Sequence, residues 1–166
     1  MSSGPASERV LAREELARRL DAQRAELGRI VLTNGCFDLL HVGHVRVLED
    51  AATRGDTLIV ALNEDAAVRA AKGPGRPLVP LAERAELVAA LGCVDLVTWF
   101  PEPTLEATLR LLRPHVHAKG TDYTPETLPE RAVDRELSIE IAICGDPKTH
   151  ATRALVTRLR AESERR

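Results

Sequence analysis

Val31-Leu32-Thr33-Asn34-Gly35-Cys36-Phe37-Asp38-Leu39-Leu40-His41-Val42-Gly43-His44 changes character twice within one short run. Its opening, after Arg29-Ile30, is apolar and β-branched and reads as a buried strand. Asn34-Gly35 predicts a turn that ends the strand. His41-Val42-Gly43-His44 then leads into Val45, Leu48, Ala51 and Ala52, which have helical spacing. A strand, a glycine-bearing turn and a helix start with two imidazoles make a candidate phosphate site. Helix N-termini present unpaired N–H groups and a partial positive charge, and both favour an anion. Gly43 would let the main chain approach a ligand with no Cβ in the way. Zinc fits poorly: the histidines stand at i and i+3 with Val and Gly between them, and no third ligand lies nearby. A pair of merely structural histidines is the plainer reading, and two imidazoles beside Asn-Gly behind a strand weigh against it.

The rest of the composition is that of an ordinary soluble domain. At 166 residues, 44% hydrophobic and 29% charged, the chain has the material for one substantial core. A formal charge of −2 argues against a nucleic-acid binder held by phosphate neutralisation. One Trp, one Tyr and two Phe give no platform for stacking bases. Cys36, Cys93 and Cys144 are odd in number and far apart, so they suit a reducing compartment. No apolar run approaches membrane-spanning length, and no signal-peptide pattern opens the chain. The expected location is the cytoplasm, with no membrane partner.

Outward from the opening stretch, strands and helices alternate. Residues 1–7 are expected to be a disordered tail and residues 8–28 an N-terminal helix stopped by Gly28. One domain, 29–166, then follows. Thr57 to Leu62 is a near-continuous apolar run of the kind found in a parallel sheet covered on both faces. Asn63-Glu64-Asp65 stands at its end, where Asn63 or Asp65 serves either as a helix cap or as a ligand contact. Lys72-Gly73-Pro74-Gly75-Arg76-Pro77 can be neither helix nor central strand, and its cations would suit a flap closing over phosphates. Pro80 to Leu91 reads as a helix, Val94 to Trp99 as the third strand and Pro103 to Leu112 as a helix. Val116 to Ala118 is a short strand running into Lys119-Gly120-Thr121-Asp122-Tyr123. Ile139 to Cys144 is the fifth strand, and a last helix spans Thr152 to about Glu162. The pattern predicts an α/β fold: a doubly wound, five-stranded parallel Rossmann-like sheet with helices on both faces. Such sheets bind ligands beyond the carboxyl ends of their strands, where each suspicious group lies. Neither a Rossmann glycine fingerprint nor a P-loop follows the first strand.

Thr33 to Asp38 followed by His41-Val42-Gly43-His44 resembles the HxGH nucleotidyltransferases, which include the cytidylyltransferases. The fuller match is to the heptose 1-phosphate adenylyltransferases, found alone or as the second domain of a kinase–transferase fusion. Lys72 to Pro77, Ala82-Glu83-Arg84, Lys119 to Tyr123 and Thr152 are similar to further pieces of that family, so the likeness runs from about Arg29 to Leu159. Two departures stand out. Ala151-Thr152-Arg153 occupies the place of a Ser-Thr-Thr, and Thr121 the place of a glycine. The resemblance implies transfer of an adenylyl group from ATP to a sugar 1-phosphate, with Mg²⁺ accompanying ATP. His41, His44 and Lys72 would be catalytic, and no protein-held metal is implied. Thr33, Asn34, Gly35, Cys36, Phe37, Gly43, Arg84, Lys119, Gly120, Asp122 and Thr152 would bind the nucleotide. Asp38, Asn63 and Arg76 would face the sugar phosphate. A homodimer is implied by the resemblance alone. Three rivals carry different expectations: a CTP-dependent enzyme acting on glycerol 3-phosphate or another alcohol phosphate, a non-catalytic nucleotide-binding module, and an aminoacyl-tRNA-synthetase fragment. The last is disfavoured by the short chain and its acidic balance.

Overall fold

Five parallel strands form the centre of the molecule in the order β3-β2-β1-β4-β5. The computed structural model describes residues 5–146 and 156–157. Its elements are α1 (Arg13–Leu27), β1 (Ile30–Gly35), α2 (Val42–Ala52), β2 (Thr57–Asn63), α3 (Asp65–Lys72) and α4 (Leu81–Ala89). Then come β3 (Leu96–Phe100), α5 (Glu106–Leu112), β4 (Val116–Gly120), α6 (Arg131–Glu136) and β5 (Glu140–Cys144). The expected final helix from Thr152 lies outside the described residues except at its middle, where Val156 and Thr157 are helical.

Alternation along β1 divides the core in two. Val31 packs with Leu48 and Ala51 of α2 and with Ala85, Val88 and Ala89 of α4. Ile30 and Leu32 face the other way, onto Leu16 and Leu20 of α1, Leu109 and Leu112 of α5, and Val133 of α6. A strand buried on both faces needs apolar residues at every position, which explains the unbroken run in β2. Strand order reverses between β1 and β4, the adjacent pair in which Thr33 lies opposite Ala118. The carboxyl ends of these two strands therefore flank the crevice where open α/β sheets take their ligands.

Three expectations need correction. The N-terminal helix begins at Arg13 rather than Glu8: Ala6–Arg9 form a separate 3-10 turn, and Val10 and Leu11 then lie against the edge strand β3. Val10 bridges Val97 in parallel, and the Leu11 N–H donates to the Val97 carbonyl at 2.9 Å. Asn34-Gly35 is not a turn: both residues continue β1, opposite Ala61 and Leu62. Lys72 belongs to the last turn of α3 rather than to the loop after it. Propensity misled at Asn34-Gly35 because ladder pairing with β2 supplies backbone partners that a turn would otherwise provide.

Candidate active site

The chain leaves β1 at Gly35, turns through Phe37 in a left-handed conformation (φ 48°), and enters α2 with His41 as the N-terminal cap. No side chain caps this helix start, so the N–H groups of its first turn face the rim of the sheet without that competitor. The His44 N–H bonds the His41 carbonyl at 2.9 Å, which places the two imidazoles on successive levels of the first turn. Their rings stack with centroids 3.9 Å apart, and Phe37 lies against His44 at 5.1 Å. Gly43 sits between them in the first turn of α2.

The rim beside this helix start is close-packed. Gly120 ends β4, and among the described residues a Cβ there would meet Val47 of α2, at 3.9 Å. Gly145, after β5, takes φ 86°, and a Cβ on it would come within 2.6 Å of the Val47 side chain. Glycine at 145 is thus required twice, by backbone conformation and by the approach of α2. Asp50 of α2 accepts the Gly145 N–H at 2.8 Å, and Thr121 donates to the Asp146 carbonyl at 2.9 Å.

Lys119 stands at the end of β4, only 6% exposed. Its Nζ donates to Asn34 Oδ1 on β1 at 2.8 Å and lies 3.5 Å from Glu130 Oε2. The Tyr123 ring is 5.0 Å from the same ammonium. Burial pulls the Lys119 amine below the usual lysine range, against the opposing pull of Glu130 and Asp134. Thr33 is buried within β1, while Asp122 lies exposed in the turn after β4.

Other predicted site residues turn inward to one another. Asp38 receives a short hydrogen bond from Arg76, and its second oxygen accepts the N–H groups of Leu78 and Val79 at 2.6 and 3.1 Å. Burial alone would raise the Asp38 carboxyl, but Arg76 and those N–H groups outweigh it and hold the group below the usual carboxylate range. The loop after α3 is thereby tied to the turn that presents the histidines. Lys72, exposed in the last turn of α3 just before that loop, is the cation that the tie leaves on the surface. Arg84 is fully buried, not a helix-surface residue. It donates to the carbonyls of Val79 (2.9 Å), Cys36 (2.6 Å) and Asn63 (3.0 Å) and to Asp65 (2.6 Å). Its guanidinium therefore clamps the exits of β1 and β2 to α3 and to the loop before α4. Asn63 is no helix cap, since Glu64 takes that position, and its side chain faces the Cys36 thiol at 3.7 Å. Thr152, with Ala151 and Arg153, lies outside the described residues.

Two residues of this rim, Glu130 and Asp134, escaped the sequence reading. Glu130, Asp134 and His117 are all buried, with His117 Nδ1 set against Asp134 at 3.0 Å. A signal was present: His117 and Lys119 are two apart on a strand, and Glu130 and Asp134 four apart on a helix. Either spacing puts two polar groups on one face.

Residues 32–157 match the family model for cytidylyltransferase-like domains, a span containing both histidines, Lys72 and Lys119. The chain belongs to the cytidylyltransferase-like family. It is 50% identical over 129 residues to the bifunctional protein HldE of Pelobacter propionicus, covering 78% of this chain and 26% of that protein. To HldE of Pseudomonas syringae pv. syringae it is 43% identical over 153 residues, covering 92% of this chain and 32% of the relative. The chain thus spans between a quarter and a third of these relatives. Among solved structures, the lipopolysaccharide core biosynthesis protein from Thermoplasma volcanium superposes with a TM-score of 0.63 at 22% identity. That match covers 73% of this chain and 99% of the other and supports the fold. No helix among the described residues is long and apolar enough to cross a membrane.

Proposed function

We propose that the chain transfers an adenylyl group from ATP to a sugar 1-phosphate, heptose 1-phosphate foremost, giving an ADP-sugar and pyrophosphate. Family membership and the HldE relatives support nucleotidyl transfer, and the quoted motifs support this donor and acceptor. The observation that carries the reading is that two features stand at the carboxyl ends of adjacent strands on either side of the strand-order switch. The α2 N-terminus with its stacked histidines rises from β1, and Lys119 stands at the end of the neighbouring β4.

In the reaction, an oxygen of the acceptor phosphate attacks the α-phosphorus of ATP in line. The bond from that phosphorus to the bridging oxygen breaks, and the electron pair leaves with pyrophosphate. A phosphate monoester has its second pKa near ~6, so the nucleophile is already ionised at neutral pH and needs no general base. What the site must provide is position and positive charge, since two anions meet and charge builds on the leaving group. His41 and His44 donate hydrogen bonds to the triphosphate oxygens, and the first turn of α2 adds its dipole. Lys72 reaches the phosphates from the end of α3, Lys119 serves the nucleotide side, and Arg84 and Asp38 brace the rim. The described residues hold no group of three or more His, Cys, Asp or Glu side chains suited to a metal. Mg²⁺ would accompany ATP, neutralising its triphosphate oxygens as part of the substrate. The same reading makes the chain a cytoplasmic protein acting on small phosphorylated substrates, working as a homodimer.

A pyrophosphate-release screen tests the proposal, pairing ATP and CTP with heptose 1-phosphate, other sugar 1-phosphates and glycerol 3-phosphate in the presence of Mg²⁺. Turnover is expected with ATP and heptose 1-phosphate. Preference for CTP with glycerol 3-phosphate, or nucleotide binding without pyrophosphate from any pair, overturns it.

A further inference from the structure

A lysine 6% exposed at the end of a core strand needs a reason to be charged there. Alternation along β4 sends Lys119 and His117 to the sheet face covered by α5 and α6. Glu130 comes down onto that face as the cap of α6 and is itself 3% exposed. One of its oxygens accepts the Leu105 N–H at 3.2 Å, which fixes the carboxylate to the start of α5. The other has no hydrogen-bond partner among the described residues and lies 3.5 Å from the Lys119 ammonium. Asp134, one turn on, is engaged by His117. The groups facing Lys119 are therefore Asn34 from β1, Tyr123 from the loop after β4, and Glu130 and Asp134 from α6 and its cap, with His117 on β4 itself. A buried ion pair is a poor stabiliser compared with apolar side chains of equal volume. Stability alone does not account for this one, which ends on Asn34, three residues before the Phe37 turn.

We propose that Glu130 is a positioning residue for nucleotidyl transfer, its carboxylate holding the Lys119 ammonium in place against Asn34 at the nucleotide side of the rim. The proposal rests on the role given to Lys119 above. Losing the carboxylate removes the principal group that offsets burial of the ammonium, so the amine surrenders its proton at lower pH. Lys119 would then fail as a cation while keeping its place in the fold.

The chain holds only three lysines, Lys72, Lys119 and Lys148, so ε-carbon labelling of lysine gives three NMR signals to follow. Lys119→Arg assigns the relevant one. In Glu130→Gln that signal is expected to titrate at lower pH than in wild type, with the Lys72 signal unmoved. In the transfer assay, Glu130→Gln is expected to lose about tenfold in kcat/KM for nucleotide at the alkaline end of the profile relative to its loss at neutrality. Glu130→Asp should recover most of the loss. Glu130→Gln with Lys119→Arg should lose the extra fall at alkaline pH, whatever its rate at neutrality, because a guanidinium stays charged. An unmoved Lys119 titration in Glu130→Gln overturns the proposal. A moved titration with an unchanged rate profile also overturns it, by removing Lys119 from the reaction. The NMR arm needs no turnover, so an assay silent with every substrate counts against the proposed function and leaves the Glu130–Lys119 link to be decided by the titration. Should Glu130→Gln fail to fold, Glu130→Gln with Lys119→Met decides: a folded double variant supports the pairing and an unfolded one overturns it.

Discussion

His44 and Lys72 are each asked to do a chemical task at little cost to the fold, which makes them the sharpest test of the site. His44 lies in the first turn of α2 with its ring between His41 and Phe37, and Lys72 is exposed. Losing one donor that stabilises developing charge typically costs on the order of 3 kcal/mol, about a hundredfold in rate. His44→Ala and Lys72→Ala should each lower kcat by about that factor, with chemical denaturation midpoints close to wild type. Wild-type turnover in both would remove them from the mechanism. Arg84 shows how far a sequence reading reaches at a single position. Its place beside Ala82-Glu83 marked it for attention, yet a guanidinium shared among three carbonyls and a carboxylate leaves no trace in local pattern.

Segments are held to one another by polar groups that respond to pH. The loop between α3 and α4 hangs on Asp38, whose carboxyl is held below its usual range. The unfolded chain protonates this group at an ordinary ~3.9, so its stabilising effect is complete above that pH and disappears as pH falls through the lower folded value. Asp38→Asn should destabilise the protein by about 3 kcal/mol near neutrality by leaving Arg76 without its counter-charge. That penalty should shrink in acid, as paired denaturation curves across pH can measure. At the opposite end of the sheet, His115 Nδ1 accepts the Ile30 N–H at 2.9 Å, joining the entrances of β4 and β1. Burial, then Arg24 and Arg29, push this imidazole below its usual value. Unfolded His115 takes up a proton first as pH falls below ~6.5, so stability declines there. His115→Asn should flatten that decline in thermal denaturation, at some cost near pH ~8. An unaltered slope would show that the acid sensitivity resides elsewhere.

The fold taken as one body leaves two sheet edges to protect, and β3 is covered by residues from the start of the chain. Beyond the Val10 bridge, Arg9 donates to the Val94 carbonyl at 2.9 Å, and Ala6 and Val10 pack on the core. Uncovered edges invite pairing with another copy. Removing residues 1–12 should therefore lower the unfolding midpoint and produce concentration-dependent association beyond the proposed homodimer by light scattering. A truncated chain as stable and as little aggregated as the full one would show that the covering segment does not matter.

The α/β class, the alternation of strands with helices and the placing of unusual groups at strand ends were legible in one dimension. Apolar periodicity and glycine-bearing breaks are local consequences of the backbone, and the HxGH stretch with its companion motifs carried the family. Which polar group answers which did not follow from that pattern. Lys119 meets Asn34 across 85 positions, and Asp38 meets Arg76 across 38. Such pairings depend on the reversal of strand order beside β1 and on desolvation inside the finished sheet, neither of which any short window of residues contains.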